Sequence, residues 1–178
     1  MGTVFLDMVM SLDGFVAGPD NTDSGLHDWY FAPAGNATFV IDELLETIGA
    51  MILGNRAFGE QPEGFDTPYH VPHFVLSHTA RPTIVNGEAS FIFVDSIESA
   101  LAQAREAAGE KSVCVAGGAA TAQQLLNAGL IDELQIHIVP MLLGGGLRLF
   151  DQIKPVKLEQ TRVLESPGVT HMRFAVLR

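Results

Sequence analysis

The chain has 178 residues, of which 47% are hydrophobic, and its formal net charge at pH 7 is −11. This length and apolar content predict a single domain over residues 1–178 with one substantial core. An acidic surface repels phosphate groups, so the charge argues against nucleic acid or an anionic membrane surface as a partner.

The N-terminal residues and the cysteine content predict a cytoplasmic protein. No Lys or Arg precedes Arg56, so the basic segment of a secretory signal is missing. No apolar run reaches the roughly 18 residues that a membrane helix needs. The single cysteine, Cys114, lies in an apolar run and is expected to be a buried, inert thiol, as in a reducing compartment.

The chain begins with a predicted strand and a long loop. Residues 4–10 are apolar except at Asp7, and Ser11-Leu12-Asp13-Gly14 ends the run. Residues 18–35 are rich in Gly, Pro, Asp and Asn and contain Trp29. Such a loop is typical of a functional lid or of a segment packed over a core.

Strands and helices alternate in the next part of the chain. Asn36 is predicted to cap a surface helix over about residues 37–47. The acidic side chains of this helix are expected in solvent: Asp42, Glu43 and Glu46. Further strands are predicted at residues 50–53, 73–76, 91–94, 113–116 and 133–139, and further helices at 95–108 and 119–128.

The pattern changes after Pro140. Three glycines at 144–146 precede a strand-like run at 147–150, and two longer runs follow at 156–164 and 169–177. The last two runs flank a turn and predict an antiparallel hairpin. The sequence therefore predicts an α/β fold whose mixed, mainly parallel sheet ends in a C-terminal antiparallel hairpin.

Polar residues and glycines follow three of the predicted strands at their carboxyl ends, where ligands bind in open α/β sheets. The first of these strand ends carries Gly54, Asn55 and Arg56, the second Ser77, His78, Thr79 and Arg81, and the third Gly117, Gly118, Ala119 and Thr121. Arg56 and Arg81 are the only cationic side chains in the first 104 residues. They are the first candidates to hold an anionic ligand.

The Gly117-Gly118 turn joins a strand directly to a helix. Residues without side chains let the backbone approach a ligand, and the helix start offers unpaired N–H groups to an anion. Neither the Gly-x-Gly-x-x-Gly fingerprint nor a Walker loop occurs in the chain. These features predict a dinucleotide phosphate site of another design, and the alternative is a tight turn without a ligand.

Five segments resemble a known family. They are Met-Ser-Leu-Asp-Gly-Phe-Val-Ala at 10–17, Leu-Gly-Asn-Arg at 53–56, Val-Leu-Ser at 75–77, Ala-Gly-Gly at 116–118 and Gly-Leu-Ile-Asp-Glu-Leu at 129–134. Their order and spacing resemble the dihydrofolate reductase superfamily. The nearest branch is the reductase domain of the bifunctional riboflavin-biosynthesis deaminase/reductase, which also occurs as stand-alone proteins.

The resemblance implies a three-layer fold with a mixed eight-stranded sheet and helices on both faces. It also implies an NADPH-dependent reductase that is often a homodimer. By position, Gly54 and Arg56 would meet the cofactor phosphates, and Ser77 would lie beside the adenosine ribose. The Gly117-Gly118 pair, often joined by a cis peptide in this family, would carry the pyrophosphate and nicotinamide half.

The chain departs from the family at some positions. His78 and Thr79 stand where Arg or Thr is common, which bears on the choice between NADPH and NADH. Ala57 replaces the Thr of true dihydrofolate reductases. Those enzymes bind the pteridine through a carboxylate on the first helix. Asp42 and Glu43 lie in roughly that region but align poorly and are expected in solvent, which argues against folate.

Two residues are candidates for contact with the substrate. The resemblance places Asp13 near the nicotinamide, where it would contact the substrate or supply a proton, although an Asp-Gly pair after a strand is also a common turn. Trp29 would cover the substrate, or it would fill the core as loop aromatics often do. His70, His73 and His78 do not predict a metal site, because His73 and His78 would face opposite sides of a strand and no cysteine or second set of ligands joins them.

The function expected from these observations is a reductase that transfers a hydride from NADPH to a small pyrimidine-, pterin- or carbonyl/imine-type substrate. One alternative is a non-catalytic nucleotide- or ligand-binding protein that retains the reductase fold. Another is an oligomeric protein whose polar strand ends only complete turns.

Overall fold

The computed structural model of the protein describes residues 2–178. The strands are β1 Val4–Ser11, β2 Phe15–Ala17, β3 Ile48–Gly54, β4 Pro72–Leu76, β5 Ile84–Asn86, β6 Ala89–Val94, β7 Ser112–Val115, β8 Glu133–Val139, β9 Leu147–Arg148, β10 Lys157–Ser166 and β11 Val169–Leu177. The helices are α1 Asp28–Phe31, α2 Asn36–Thr47, α3 Asn55–Phe58, α4 Ile97–Ala108 and α5 Ala119–Asn127.

The main sheet has nine strands in the order β10-β11-β8-β1-β7-β3-β4-β6-β5. The strands from β8 to β6 run parallel, β5 is antiparallel to β6, and the β10–β11 hairpin is antiparallel at the other edge. The mainly parallel sheet and the C-terminal hairpin predicted from the sequence are thus confirmed.

The strand count differs from the eight strands implied by the family resemblance. The additional strand is β5, only three residues long, and so short a run gives no periodic signal in the sequence. The predicted run at 147–150 is a strand only at Leu147–Arg148. It pairs with β2 in a separate two-stranded sheet rather than joining the main one.

Apolar side chains cover both faces of the sheet. Val4, Leu6 and Val115 belong to the cluster that packs against α4 and α5. Their neighbours in sequence, Phe5 and Cys114, belong to the cluster under α2 on the opposite face. Successive residues of a strand point to opposite faces, so parallel strands covered on both sides carry continuous apolar runs. This arrangement gives the three layers that the resemblance implied.

The start of α2 corrects one prediction. Gly35, with φ 58°, precedes the helix, and Asn36 is its first residue rather than its cap. The Asn36 side chain donates to the carbonyl of Glu165 at 2.8 Å and so ties α2 to the hairpin. Helix α4 begins at Ile97, two residues after the predicted start, because Ser96 caps it: the Ser96 hydroxyl accepts from the N–H of Ser99 at 3.2 Å.

The acidic face of α2 corrects a second prediction. Asp42 and Glu46 are exposed, but Glu43 is half-buried. Both Glu43 carboxylate oxygens accept from the guanidinium of Arg162, at 2.8 and 2.6 Å. The expectation that Glu43 lies in solvent was wrong, because β10 places an arginine on the same side of the molecule.

Cys114 is 1% exposed, and burial raises the pKa of its thiol well above the usual value. This agrees with the buried, inert thiol expected from the sequence. Within residues 2–178, none of the helices combines the length and the apolar content needed to cross a membrane.

Candidate functional site

The three predicted strand ends lie next to one another on the side of the sheet where its parallel strands finish. β7, β3 and β4 are neighbouring parallel strands, so their carboxyl ends point the same way. The N–H of Gly54 donates to the carbonyl of Gly117 at 2.8 Å, and the N–H of Ala116 donates to the carbonyl of Ile52 at 3.0 Å. Backbone hydrogen bonds therefore join the first and third strand ends directly.

The Gly117-Gly118 turn lies close to Ala57. Its peptide bond is cis, as the resemblance implied, and Gly117 has φ +142°. A Cβ atom on Gly117 would lie 3.3 Å from the Cβ of Ala57. Gly118 caps α5, whose first N–H groups have no partner within the helix. The turn thus offers bare backbone and donors at the start of a nine-residue helix.

Thr121 lies against Gly54 and is 4% exposed. A Cβ atom on Gly54 would come within 2.6 Å of the Thr121 hydroxyl oxygen. Gly54 therefore allows α5 to approach the end of β3. Asn55 and Arg56 follow in the short helix α3 and are exposed at this edge.

Ser77, His78 and Thr79 line a surface groove of about 370 Å³, together with Asp95, Ser99 and Gln103. The Ser77 hydroxyl accepts from the N–H of Thr79 at 3.1 Å and donates to its carbonyl at 3.0 Å, which fixes the turn after β4. The groove is open to solvent.

Arg81 borders this groove through an aromatic contact. Its guanidinium lies 4.3 Å from the ring centroid of Phe93, which lines the groove, and 5.3 Å from that of Phe58. Stacking on aromatic rings holds a guanidinium in place while its N–H groups stay available to an anion.

Asp13 anchors a glycine-rich loop. Its carboxylate accepts from the Ser11 hydroxyl at 2.6 Å, from the N–H of Leu143 at 3.1 Å and from the N–H of Gly144 at 2.7 Å. These hydrogen bonds, with that of Ser11 the strongest influence, lower the pKa of Asp13 to about 2. Asp13 is therefore ionised at neutral pH.

Trp29 lies in α1 and is 8% exposed. Its ring centroid is 4.7 Å from that of His137 and 5.0 Å from that of His171. It packs with Val9 and Val139 in a small cluster beside the main core. Trp29 is therefore buried against two buried histidines.

The sequence interpretation missed a polar chain across β1, β8 and β11. One Asp7 oxygen accepts from the Gln135 amide and from His137 Nε2, both at 3.0 Å. His137 Nδ1 lies 2.7 Å from His171 Nδ1, and His171 Nε2 lies 3.0 Å from the Ser166 hydroxyl. The available signal was a charged or imidazole side chain inside each apolar strand run, since buried polar groups need partners.

The polar chain ends beside the glycine turn. Leu6 pairs with Val115 in the β1–β7 ladder, so the next residues, Asp7 and Ala116, adjoin, and Gly117 follows. Tyr30 and Tyr69 belong to the same region, since the charge of Asp7 adds to the effect of burial in raising the pKa of both hydroxyls. The two hydroxyl oxygens are 3.3 Å apart.

No group of three or more His, Cys, Asp or Glu side chains in residues 2–178 is arranged to hold a metal ion. Two of the histidines weighed in the sequence have other partners. His70 lies 2.9 Å from Glu88, and His73 is hydrogen-bonded to the carbonyl of Val71 at 2.8 Å.

Solved structures share this fold. A protein of Shewanella sp. PV-4 named for riboflavin biosynthesis is 25% identical, with a TM-score of 0.75 and 99% of each chain covered. Dihydrofolate reductase from Enterococcus faecalis, complexed with NADP(H), has a TM-score of 0.67 at 16% identity and covers 98% of this chain and 96% of its own. At that identity the likeness shows the fold alone.

Sequence relatives point to the same family. YyaP of Bacillus subtilis is 26% identical over 187 residues, which cover 96% of this chain and 93% of that protein. The riboflavin biosynthesis protein RibD of Corynebacterium ammoniagenes is 27% identical over 157 residues, which cover 81% of this chain but 44% of RibD. The profile of the RibD C-terminal domain matches residues 2–172. The chain belongs to the RibD C-terminal domain family.

Proposed function

We propose that the protein is an NADPH-dependent reductase acting on a small pyrimidine-, pterin- or carbonyl/imine-type substrate. The observation that carries this proposal is the junction of Gly54 and Gly117 at 2.8 Å, which places a bare glycine turn, a helix start and the exposed Arg56 at one sheet edge. A pyrophosphate needs backbone donors and a cation at close range.

Different residues of the chain would hold different parts of NADPH. The turn presents bare backbone, and the N–H group of Ala119 at the start of α5 would meet a ligand's phosphates. Arg56 and Asn55 would bind the phosphates from the facing strand end. The groove residues Ser77, His78 and Thr79, with Arg81 at its border, would hold the adenosine end.

NADPH supplies a hydride when bound, and the protein must position the substrate and provide a proton. Of the two roles expected for Asp13, contact with the substrate or shaping of its pocket fits the hydrogen bonds better than proton supply. A carboxyl group with a pKa of about 2 holds no proton at neutral pH. Trp29 would wall the substrate pocket from the buried side.

The protein is proposed to work in the cytoplasm as a homodimer. The ten-residue strand β10 is an edge of the main sheet. It carries the exposed apolar side chains Leu158 and Val163, and the exposed Phe39 of α2 adjoins it through the guanidinium of Arg162. A long edge strand with exposed apolar side chains favours association with another chain. A second copy of this protein would cover β10 and these side chains.

Thermal unfolding with and without NADPH tests the proposed function. A ligand of the native state at about 100 times its dissociation constant stabilises by roughly 2.7 kcal/mol, which raises the melting temperature. An unchanged melting temperature at millimolar NADPH and NADH contradicts the proposal. Where binding is found, consumption of NADPH with a panel of pyrimidine, pterin and carbonyl acceptors identifies the substrate class.

A further inference from the structure

We propose that the hydrogen-bonded chain Ser166–His171–His137–Asp7 is a proton path, and that Asp7 is the acid that protonates the substrate during reduction. The catalytic role of this path rests on the proposed function. The hydrogen bonds that form the path do not depend on a bound ligand. Asp7 would give its proton to the oxygen or nitrogen of a C=O or C=N group, and the carbon of that group would receive the hydride of NADPH.

The partners of each atom define the direction of the path. An ionised Asp7 only accepts hydrogen bonds, so His137 Nε2 carries a proton toward it at 3.0 Å. His137 Nδ1 is then an acceptor, and His171 Nδ1 donates to it at 2.7 Å. His171 Nε2 is in turn an acceptor for the Ser166 hydroxyl at 3.0 Å. Every donor thus faces an acceptor from Ser166 to Asp7.

The surrounding side chains bury the two imidazoles away from solvent. His137 and His171 are each 2% exposed, and the Trp29 ring packs against both. Burial lowers the pKa of His171 to about 4, and the nearby His137 adds to this effect. A neutral imidazole with one donor and one acceptor passes a proton by exchanging those roles. Ser166 is only partly buried, so its end of the path reaches solvent.

Asp7 lies where a reducible group would need a proton. It adjoins Ala116, the residue before the Gly117-Gly118 turn, and its side chain is 19% exposed. The hydroxyls of Tyr30 and Tyr69 lie in the same region. Asp7 is thus a partly exposed carboxyl group beside the residue that precedes the glycine turn, whereas Asp13 is fixed by its loop contacts.

The proton balance starts from the carboxylate form of Asp7, the form that the path requires. Ser166 gives a proton to His171 Nε2, His171 Nδ1 gives one to His137 Nδ1, and His137 Nε2 gives one to Asp7, while water restores the Ser166 proton. As the hydride reaches the substrate carbon, the O–H bond of Asp7 breaks and a new O–H or N–H bond forms on the substrate. Exchange of the ring protons with solvent then restores the starting tautomers of both imidazoles, so each cycle takes one net proton from solvent and one hydride from NADPH.

Other ionisable groups face this path from every neighbouring element. They are Tyr30 of α1, Glu43 of α2, Tyr69 before β4, Cys114 of β7, Glu133 of β8, Arg162 of β10 and Arg173 of β11. Glu43 pairs with Arg162 at 2.6 Å, and Arg173 lies 3.8 Å from Glu43 and 3.5 Å from Glu133. These charges compensate one another, which leaves Asp7 as the acidic end of the path.

Nitrogen-15 NMR of the imidazole rings in the ligand-free protein tests the path. We expect a proton on Nε2 of His137 and on Nδ1 of His171. Loss of one hydrogen bond costs about 1 kcal/mol, so Ser166→Ala should slow the exchange of these ring protons with solvent by about fivefold. Thr161→Val removes a hairpin hydroxyl outside the path and should leave the exchange unchanged. The opposite tautomer, or an unchanged exchange rate in Ser166→Ala, overturns the path.

The role of Asp7 is tested with the acceptor identified for the proposed function. General acids contribute about 10²- to 10⁴-fold, so Asp7→Asn should lower kcat at least 100-fold while NADPH affinity stays within about twofold. A retained kcat overturns the assignment of Asp7. A wild-type protein that binds no NADPH overturns the proposed function instead, and with it the use of the path, while the ring-proton exchange still decides whether the path exists.

Discussion

The backbone N–H of Gly54 donates to the carbonyl of Gly117 at 2.8 Å, which fastens the end of β3 to the turn that opens α5. Thr121 fills the space where Gly54 has no side chain. A glycine at each position thus serves a different purpose: Gly54 lets the helix close on the sheet, and Gly117 allows a positive φ beside Ala57.

Substitution of Gly117 should abolish NADPH binding. In Gly117→Val the new side chain would press on Ala57 and occupy the proposed phosphate surface, and the φ of +142° disfavours any residue with a Cβ. We expect affinity to fall below detection and stability to fall by about 1 kcal/mol or more. Calorimetric titration and urea unfolding measure the two effects.

The control is Gly129→Ala, which also has a positive φ but no neighbour within 4 Å of the new Cβ atom. It should lose stability and keep NADPH affinity. Equal loss of affinity in both variants would mean that the effect arises from folding rather than from the phosphate surface.

Replacing Arg56 should weaken NADPH without changing the fold. A hydrogen bond to a charged group contributes about 1.5–3 kcal/mol, so Arg56→Ala should weaken binding by about 10- to 100-fold. Binding by the wild type should also weaken as salt rises, and less so in the variant. Lys157→Ala, an exposed cation at the far edge of the sheet, is the matched control. An unchanged dissociation constant in Arg56→Ala removes this residue from the site.

The protein should lose stability in strong acid as Asp13 takes up a proton. Its pKa is lowered from 3.8 to about 2 in the folded protein, so the unfolded chain binds more protons between these values. The stabilisation is fully present above pH 4, is lost as pH falls toward 2, and should be missing in Asp13→Asn. Urea unfolding of both proteins across this range measures it. Parallel pH profiles would show that the loop contacts of Asp13 contribute no stability.

His171 should make the protein less stable in weak acid. Its pKa is lowered from 6.5 to about 4, so between these values the unfolded state takes up a proton that the folded state does not. Stability should therefore rise from about pH 4 to 6.5 and then level off. His171→Gln should flatten this rise, whereas His70→Gln, at an exposed histidine, should keep it. A wild-type stability that is constant over this range contradicts the burial of a neutral His171.

The Glu43–Arg162 pair should matter for stability, contrary to what the sequence pattern of α2 indicated. Both partners are mostly buried, with side chains 21% and 25% exposed. Removing one partner leaves the other as a partly buried charge that has lost its nearest ion-pair partner. Arg162→Met should therefore lower the free energy of unfolding by about 1–3 kcal/mol. Glu46→Gln, on the exposed side of the same helix, should cost less than about 0.5 kcal/mol. Similar unfolding free energies for the two variants would contradict this.

Local periodicity predicted most of the fold because buried parallel strands and amphipathic helices leave strong signals. The three strand ends were predictable for the same reason, since parallel strands finish at one edge. The sequence marks Asp7, His137 and His171 as polar residues within apolar runs but does not predict their pairing, because only the register of β1, β8 and β11 brings them together. Glu43 was misjudged likewise, since its partner Arg162 lies far away in sequence.

Calorimetric titration of NADPH into the purified protein tests the central claim most directly. The joined strand ends at Gly54 and Gly117 predict saturable binding of one NADPH per chain, strongly weakened in Arg56→Ala and absent in Gly117→Val. Failure of both NADPH and NADH to bind the folded wild-type protein at millimolar concentration would contradict the assignment of this sheet edge as a dinucleotide site.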